Sequence, residues 1–158
     1  MKHNLLTMFD KAATLALGCD QGGYELKEFL KIRLAEAGYS IRDFGYYSIE
    51  SIDYPDIAHP VAGAVNTGMY KMAILICGSG NGVCMTANKY EGIRAALCWT
   101  DELAHLARAH NDANILCLPG RFIDKDEALK AAFTFLNTEF EGGRHERRIN
   151  KIPLNSCE

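Results

Sequence analysis

The sequence predicts an α/β protein: a three-layer sandwich in which one five-stranded parallel sheet is covered by helices on both faces. Two observations carry this expectation. Five short, β-prone apolar runs alternate with segments of helical periodicity from Thr14 to Asn137. The clearest run, Ala73-Ile-Leu-Ile-Cys77, is apolar throughout rather than at every second position, which marks a strand buried on both sides. In such sheets ligands bind beyond the carboxyl ends of the strands. Asp20/Gln21, Cys77 to Gly82, Trp99/Thr100 and Pro119 to Arg121 therefore share one edge by topology alone.

Taken in order, residues 1–13 show no strong pattern and read as a loosely attached leader, leaving one domain over 14–158. Thr14 to Gly18 is the first strand, ending at Cys19-Asp20-Gln21-Gly22-Gly23. Tyr24 to Ala37 follows as a helix with Leu26, Phe29, Leu30 and Leu34 on one face, stopped by Gly38. Tyr39 to Phe44 is the second strand. Pro55 interrupts the loop after it, and a helix resumes from Ile57 to Thr67. The third strand is Met72 to Cys77, with a helix from Val83 to Asn88. The fourth is Ile93 to Trp99, followed by a helix that starts at Thr100-Asp101-Glu102 and stops before His110-Asn111. Asn114 to Leu118 is the fifth strand. Asp124-x-x-Glu127 reads as a capping-box variant opening a helix to Asn137, and a basic segment, Gly142 to Ile149, closes the pattern.

Composition narrows the function. A chain of 158 residues, 48% apolar and 23% charged, is long enough for one real core. A net charge of −3 gives no reason to expect nucleic acid or an anionic membrane as partner. No apolar run approaches a membrane span, and Leu5 to Phe9 is too short for a signal peptide. The six cysteines (Cys19, Cys77, Cys84, Cys98, Cys117, Cys157) lack Cys-x-x-Cys spacing, and most lie in or beside apolar runs. That suits reduced thiols in the cytoplasm better than disulfides or a zinc site.

The chemistry concentrates after the third strand. Gly78-Ser79-Gly80-Asn81-Gly82 leaves backbone N–H groups uncovered for an anionic ligand, and a helix dipole points back at them. Cys77 at that place is expected to favour the thiolate. The loop reads Gly-x-Gly-x-Gly, without the spacing of a dinucleotide fingerprint, and no lysine follows as in a Walker loop. Each surrounding candidate also has a plain structural explanation. Asp20 suits an N-cap, Tyr54 a half-buried anchor, His110-Asn111 a helix C-terminus, and Arg144/Arg148 a solvated basic turn. Together they make a coherent set: thiol, hydroxyl and amides for an enediolate, carboxylate and imidazole for hydroxyl protons, paired arginines for a phosphate.

Cys-Gly-Ser-Gly-Asn-Gly (77–82), Ala-Asn-Lys-x-x-Gly-Ile-Arg-Ala-Ala-Leu (87–97), His-Asn-x-x-Asn (110–114) and Glu-Gly-Gly-Arg-His-Glu-Arg-Arg (141–148) resemble the type B ribose-5-phosphate isomerases. That family includes the galactose-6-phosphate isomerase subunits. Asp20-x-Gly-Gly and Asp-Tyr-Pro (53–55) belong to the same pattern, which runs from about Thr14 to Pro153.

The resemblance implies a Rossmann/flavodoxin-like fold, a homodimer or tetramer with shared active sites, and no metal or organic cofactor. It implies an isomerase of phosphorylated sugars, ribose 5-phosphate to ribulose 5-phosphate in the pentose phosphate pathway. Cys77 would move the proton between C2 and C1, and Ser79 with the amides of Gly78, Gly80, Asn81 and Gly82 would hold the enediolate. His110, assisted by Asp20, would open the furanose ring; Tyr54 and Asn111 would hold hydroxyls; Arg121, Arg144 and Arg148 would bind phosphate. Two positions depart from the pattern. Gln21 stands where the family has a phosphate-binding histidine, so that contact becomes a neutral hydrogen bond, and Ser79 replaces a commoner threonine. The alternatives are an isomerase of allose or galactose 6-phosphate or of a tetrose phosphate, a non-catalytic sugar-phosphate sensor, and a thiol redox protein.

Overall fold

The computed structural model describes residues 9–154. Five parallel strands form one sheet: β1 (Thr14–Cys19), β2 (Ser40–Asp43), β3 (Ala73–Cys77), β4 (Ala95–Leu97) and β5 (Ile115–Pro119), in the order β2-β1-β3-β5-β4. The helices are α1 (Tyr24–Glu36), α2 (Pro55–Asn66), α3 (Asn81–Ala87), α4 (Asp101–Asn111), α5 (Lys125–Asn137) and α6 (Arg144–Ile149). This is the expected α/β sandwich of flavodoxin-like type, with β4 outside β5 at one edge. The chain leaves β1 toward β2 and then returns past β1 to β3, so the crevice between β1 and β3 is the topological switch point.

Side-chain alternation along the strands builds two cores. Leu15, Leu17, Ile74, Ile76, Leu116 and Leu118 point into the layer of α1, α4 and α5, where Leu30, Leu34, Ala132 and Phe135 meet them. Ala16, Leu75, Ile115, Cys117 and Cys77 point the other way, onto Ile57, Val61 and Val65 of α2 and Val83 and Ala87 of α3. The middle strands β3 and β5 are buried at every position, as the unbroken apolar runs demand.

Several boundaries differ from the sequence reading for local reasons. Pro55 does not interrupt α2 but opens it at the first helical position, where its missing N–H costs nothing. Asn81 and Gly82 belong to α3, and His110 and Asn111 are the last two residues of α4 rather than its sequel. The helix ends instead at Asp112 in the left-handed region, φ 45°. Asp124 caps α5 by accepting from the N–H of Asp126, but Glu127 completes no capping box; its carboxylate accepts from the N–H of Asp101 and serves α4. The basic segment is a true helix, α6. Of the leader, residues 1–8 lie outside the described ones. Its end is held: Phe9 is buried, its N–H bonded to the Leu136 carbonyl, and Lys11 donates to Ala37 O.

Candidate active site

Three strand ends interlock at the switch point. The Asp20 N–H donates to Ile76 O, the Gly120 N–H to Cys77 O and the Arg121 N–H to Gly78 O, which stitches the turns after β1, β3 and β5 together. Gly22 approaches so closely that a Cβ there would stand 2.7 Å from the Gly78 nitrogen. The Cys77 thiol sits at the centre of this floor, 4% exposed.

Beyond it the chain turns through Gly80, whose φ of 76° and whose missing Cβ, which would lie 2.4 Å from Leu97 Cδ1, leave room for glycine alone. Ser79 Oγ accepts from the Asn81 N–H and amide, both at 3.3 Å, so the hydroxyl hydrogen is free to be donated. The Tyr54 ring lies against Gly82, 2.6 Å from where a Cβ would stand, and is itself 41% exposed. Arg121 packs its guanidinium over Gly78.

Asp20 and Gln21 line the same crevice. The Asp20 carboxylate is the N-cap of the short turn 21–23, accepting from the Gly22 N–H at 2.8 Å and the Gly23 N–H at 3.2 Å. Burial pushes its pKa up; the two amides and the Arg121 charge oppose the rise without cancelling it. Gln21 Oε1 accepts from the Ile52 N–H at 3.0 Å, which ties the loop leading to Tyr54 onto the first turn. A cavity of about 380 Å³ opens beside Gln21, Glu25, Ile49 and Arg121.

Four of the expected residues are elsewhere. α4 starts above β4 and descends along the sheet, so His110 and Asn111 lie at its amino edge, as do Arg144 and Arg148. The five-residue strand β3 separates the two edges by about 16 Å. There the His110 ring stacks on the His145 ring, centroids 4.2 Å apart and planes 8° from parallel. Glu141 Oε2 faces both, 3.8 Å from His110 Nε2 and 3.5 Å from His145 Nε2. Burial lowers the His145 pKa, as do His110, Arg144 and Arg148, against the pull of Glu141. His110, Glu141 and His145 bring ligand atoms within 4.8 Å of one another, a metal-like grouping. However, the Arg144 and Arg148 charges act on the same cluster and disfavour a metal cation there. The grouping is better suited to sharing a proton.

Sequence reasoning passed over the residues that shape this second cluster. Arg94 Nε donates to Asn111 O and Asp112 O, and Arg108 Nη1 to Ala113 O and Asp112 Oδ1, which fixes the end of α4 under His110. Asn88 pairs both its amide groups with the backbone of Ala95, and Asn114 does the same with Arg94 and Gly92. Their signal was present, since Asn88, Arg94 and Asn114 stand in the quoted motifs, but it pointed to structure rather than to chemistry. Among the described residues every cysteine is free. Burial pushes the Cys19 and Cys98 thiols up to about 12 and the fully enclosed Cys117 thiol upward as well, which leaves them inert. No helix among the described residues is long and apolar enough to cross a membrane.

Residues 15–152 match the Ribose/Galactose Isomerase family. The ribose-5-phosphate isomerase B of Escherichia coli (strain K12) is 41% identical over 138 residues, 87% of this chain and 93% of that one. The crystal structure of a ribose 5-phosphate isomerase from Thermotoga maritima superposes with a TM-score of 0.87 at 48% identity, covering 89% of this chain and 97% of its own. The Mycoplasma genitalium ribose-5-phosphate isomerase B, solved with bound ribulose-5-phosphate, gives 0.84 at 42% identity, covering 88% and 93%.

Proposed function

The chain belongs to the ribose/galactose isomerase family, and from that premise we propose that it interconverts D-ribose 5-phosphate and D-ribulose 5-phosphate through an enediolate. One observation carries this reading: Cys77, a buried thiol, ends β3 at the switch point, where the Gly78 to Gly82 turn begins. The Cys77 thiolate removes the C2 proton of the open-chain aldose. The electron pair forms the C1–C2 double bond while the carbonyl pair moves onto O1; the O2 hydroxyl proton then passes to O1, and as the O2 pair forms the C2 carbonyl the double-bond pair takes the proton back from the same thiol at C1, giving the ketose. Ser79 and the backbone amides of the turn hold the negative oxygens of the intermediate. Ring opening precedes this. The C1–O4 bond breaks, O4 takes a proton from His110, and the anomeric hydroxyl gives its proton to the Asp20 carboxylate. Tyr54 and Asn111 hold hydroxyls, and Arg121, Arg144 and Arg148 bind the phosphate, with Gln21 beside them. No step needs an oxidant or a cofactor.

The placement of these residues supports a shared site. Cys77, Asp20, Tyr54 and Arg121 lie at one sheet edge; His110, Asn111, Arg144 and Arg148 lie at the other, farther away than a pentose phosphate reaches. A second copy of the chain supplies the missing half, so the working unit is a homodimer or a pair of dimers. It is a single domain over 14–158, acting in the cytoplasm within the pentose phosphate pathway.

The test is turnover of ribose 5-phosphate, allose 6-phosphate, galactose 6-phosphate and erythrose 4-phosphate by the unmodified protein and by Cys77→Ala. Ribose 5-phosphate is expected to be the best substrate, and Cys77→Ala to lower kcat by about 10²–10⁴-fold with substrate still bound. Near-normal turnover by Cys77→Ala removes the thiol from the mechanism. A different best substrate removes ribose from the reading.

A further inference from the structure

The chain spends an unusual turn on bringing two side chains to His110. After α5 it runs across the end of α4, where the Glu141 N–H donates to Ala109 O at 3.0 Å. It then reverses through Gly142 and Gly143, φ 67° and 58°. Among the described residues nothing lies within 4 Å of either missing Cβ, so the backbone conformation rather than space demands glycine at both. The reversal is closed by the His145 N–H donating to Gly142 O. Its result is that residues four apart, Glu141 and His145, both return to the last turn of α4.

We propose that Glu141 and His145 are positioning residues for His110, the carboxylate and the stacked ring together holding one proton on the imidazole pair. The proposal rests on the role given to His110 above. The geometry supplies each part. His145 is 7% exposed and nearly parallel to His110, so it fixes the plane of the half-exposed ring. Glu141 Oε2 faces Nε2 of both rings and favours a first imidazolium on either. A second positive ring 4.2 Å away is opposed by the first, and by Arg144 and Arg148 on the adjoining helix. The end of α4, whose free carbonyls favour a cation, is already occupied by Arg94 and Arg108, both paired with Asp112. The protons therefore belong to the pair and leave it in two separated steps. A ring that holds one proton beside a carboxylate can give it to the sugar ring oxygen and take it back.

The experiment is a pH titration of the full-length protein with ¹³C-labelled histidine rings, read by NMR and assigned with His110→Asn and His145→Asn. In the unmodified protein the pair is expected to show two well-separated midpoints. Glu141→Gln should lower the first by about one unit, the effect of losing one facing carboxylate, with the backbone spectrum unchanged. His145→Phe should keep the stack and leave His110 with a single midpoint. The alkaline limb of kcat for ribose 5-phosphate, where the pair gives up the proton it donates, should move down with the Glu141→Gln midpoint, while Glu141→Asp restores it in part. A His110 midpoint that is the same in the unmodified protein and in Glu141→Gln overturns the proposal, as does an independent, uncoupled titration of the two rings. If no sugar phosphate is turned over at all, the functional reading has failed, and the titration still decides the positioning.

Discussion

Gln21 shows how one side chain answers to two demands. Its carbonyl oxygen is committed to the Ile52 N–H, and through that bond it holds the loop that presents Tyr54. Its amide nitrogen remains a donor beside Arg121, neutral where the family pattern has an imidazole. Gln21→Glu separates the two roles, because it keeps an acceptor for Ile52 while replacing the donor with a negative oxygen. KM for ribose 5-phosphate should rise about tenfold, roughly 1.4 kcal/mol, with kcat nearly unchanged. An unaltered KM would show that position 21 does not reach the phosphate. At this scale the sequence was most legible where chemistry forces residue types together: Cys77, Ser79 and the glycines announce themselves by spacing, and Asp20 and Tyr54 fall beside them. Glu141 and His145 did not, although they stand in a quoted motif. An acid and a histidine in a basic segment carry no signal until the double-glycine reversal puts them against another helix.

Between elements, a charged tie joins α1 to the end of β2. Lys27 is fully buried and donates to both oxygens of Asp43, at 2.8 and 2.7 Å, with Lys31 joining at 2.9 Å. Asp43 also accepts from the Gly45 N–H, so it starts the loop that Gln21 finishes. Burial alone would raise the Asp43 pKa, but the hydrogen bonds from Lys27, Lys31 and Gly45 outweigh it and the net shift is downward from 3.8. A folded-state pKa below the unfolded one means stability that is present above about pH 4 and lost as pH falls through the folded value. Asp43→Asn leaves the buried Lys27 charge with Glu28 alone, whose Oε1 lies 3.0 Å away, and should cost about 1.5–3 kcal/mol at pH 7. The loss should shrink toward pH 3, where the unmodified protein gives up the same contribution. Urea unfolding at both values measures it; equal losses at the two would assign the effect to packing rather than charge. The sequence shows Asp43 only as the polar end of a strand. Element types were legible from periodicity, whereas their ends were decided by particular hydrogen bonds, as where Glu127 leaves its own helix to serve Asp101.

For the whole molecule, a parallel sandwich was legible because apolar runs without alternation admit little else, but which residues share an edge depended on where each helix ends. His110-Asn111, placed after a helix in the sequence reading, proves to be the terminal turn of α4, and that puts it beside Arg144 and Arg148 and away from Cys77. On the shared-site reading proposed above, one half of the reaction centre stands at each edge of the sheet and a second copy brings the two edges together twice by symmetry. Mixing two inactive variants tests this. Cys77→Ala subunits retain His110 and the arginines; Arg144→Ala subunits retain the thiol. Each homo-oligomer should be nearly inactive. A mixed dimer contains one site with both defects and one with neither, so an equal mixture that exchanges freely is half heterodimer and should recover about one quarter of the unmodified turnover. Recovery should appear at the rate of subunit exchange and follow the heterodimer fraction as the mixing ratio is varied. If the two residues instead met within one subunit, every site in the mixture would carry one defect and no activity would return at any ratio. A fully active monomer at assay concentration would contradict the shared site altogether.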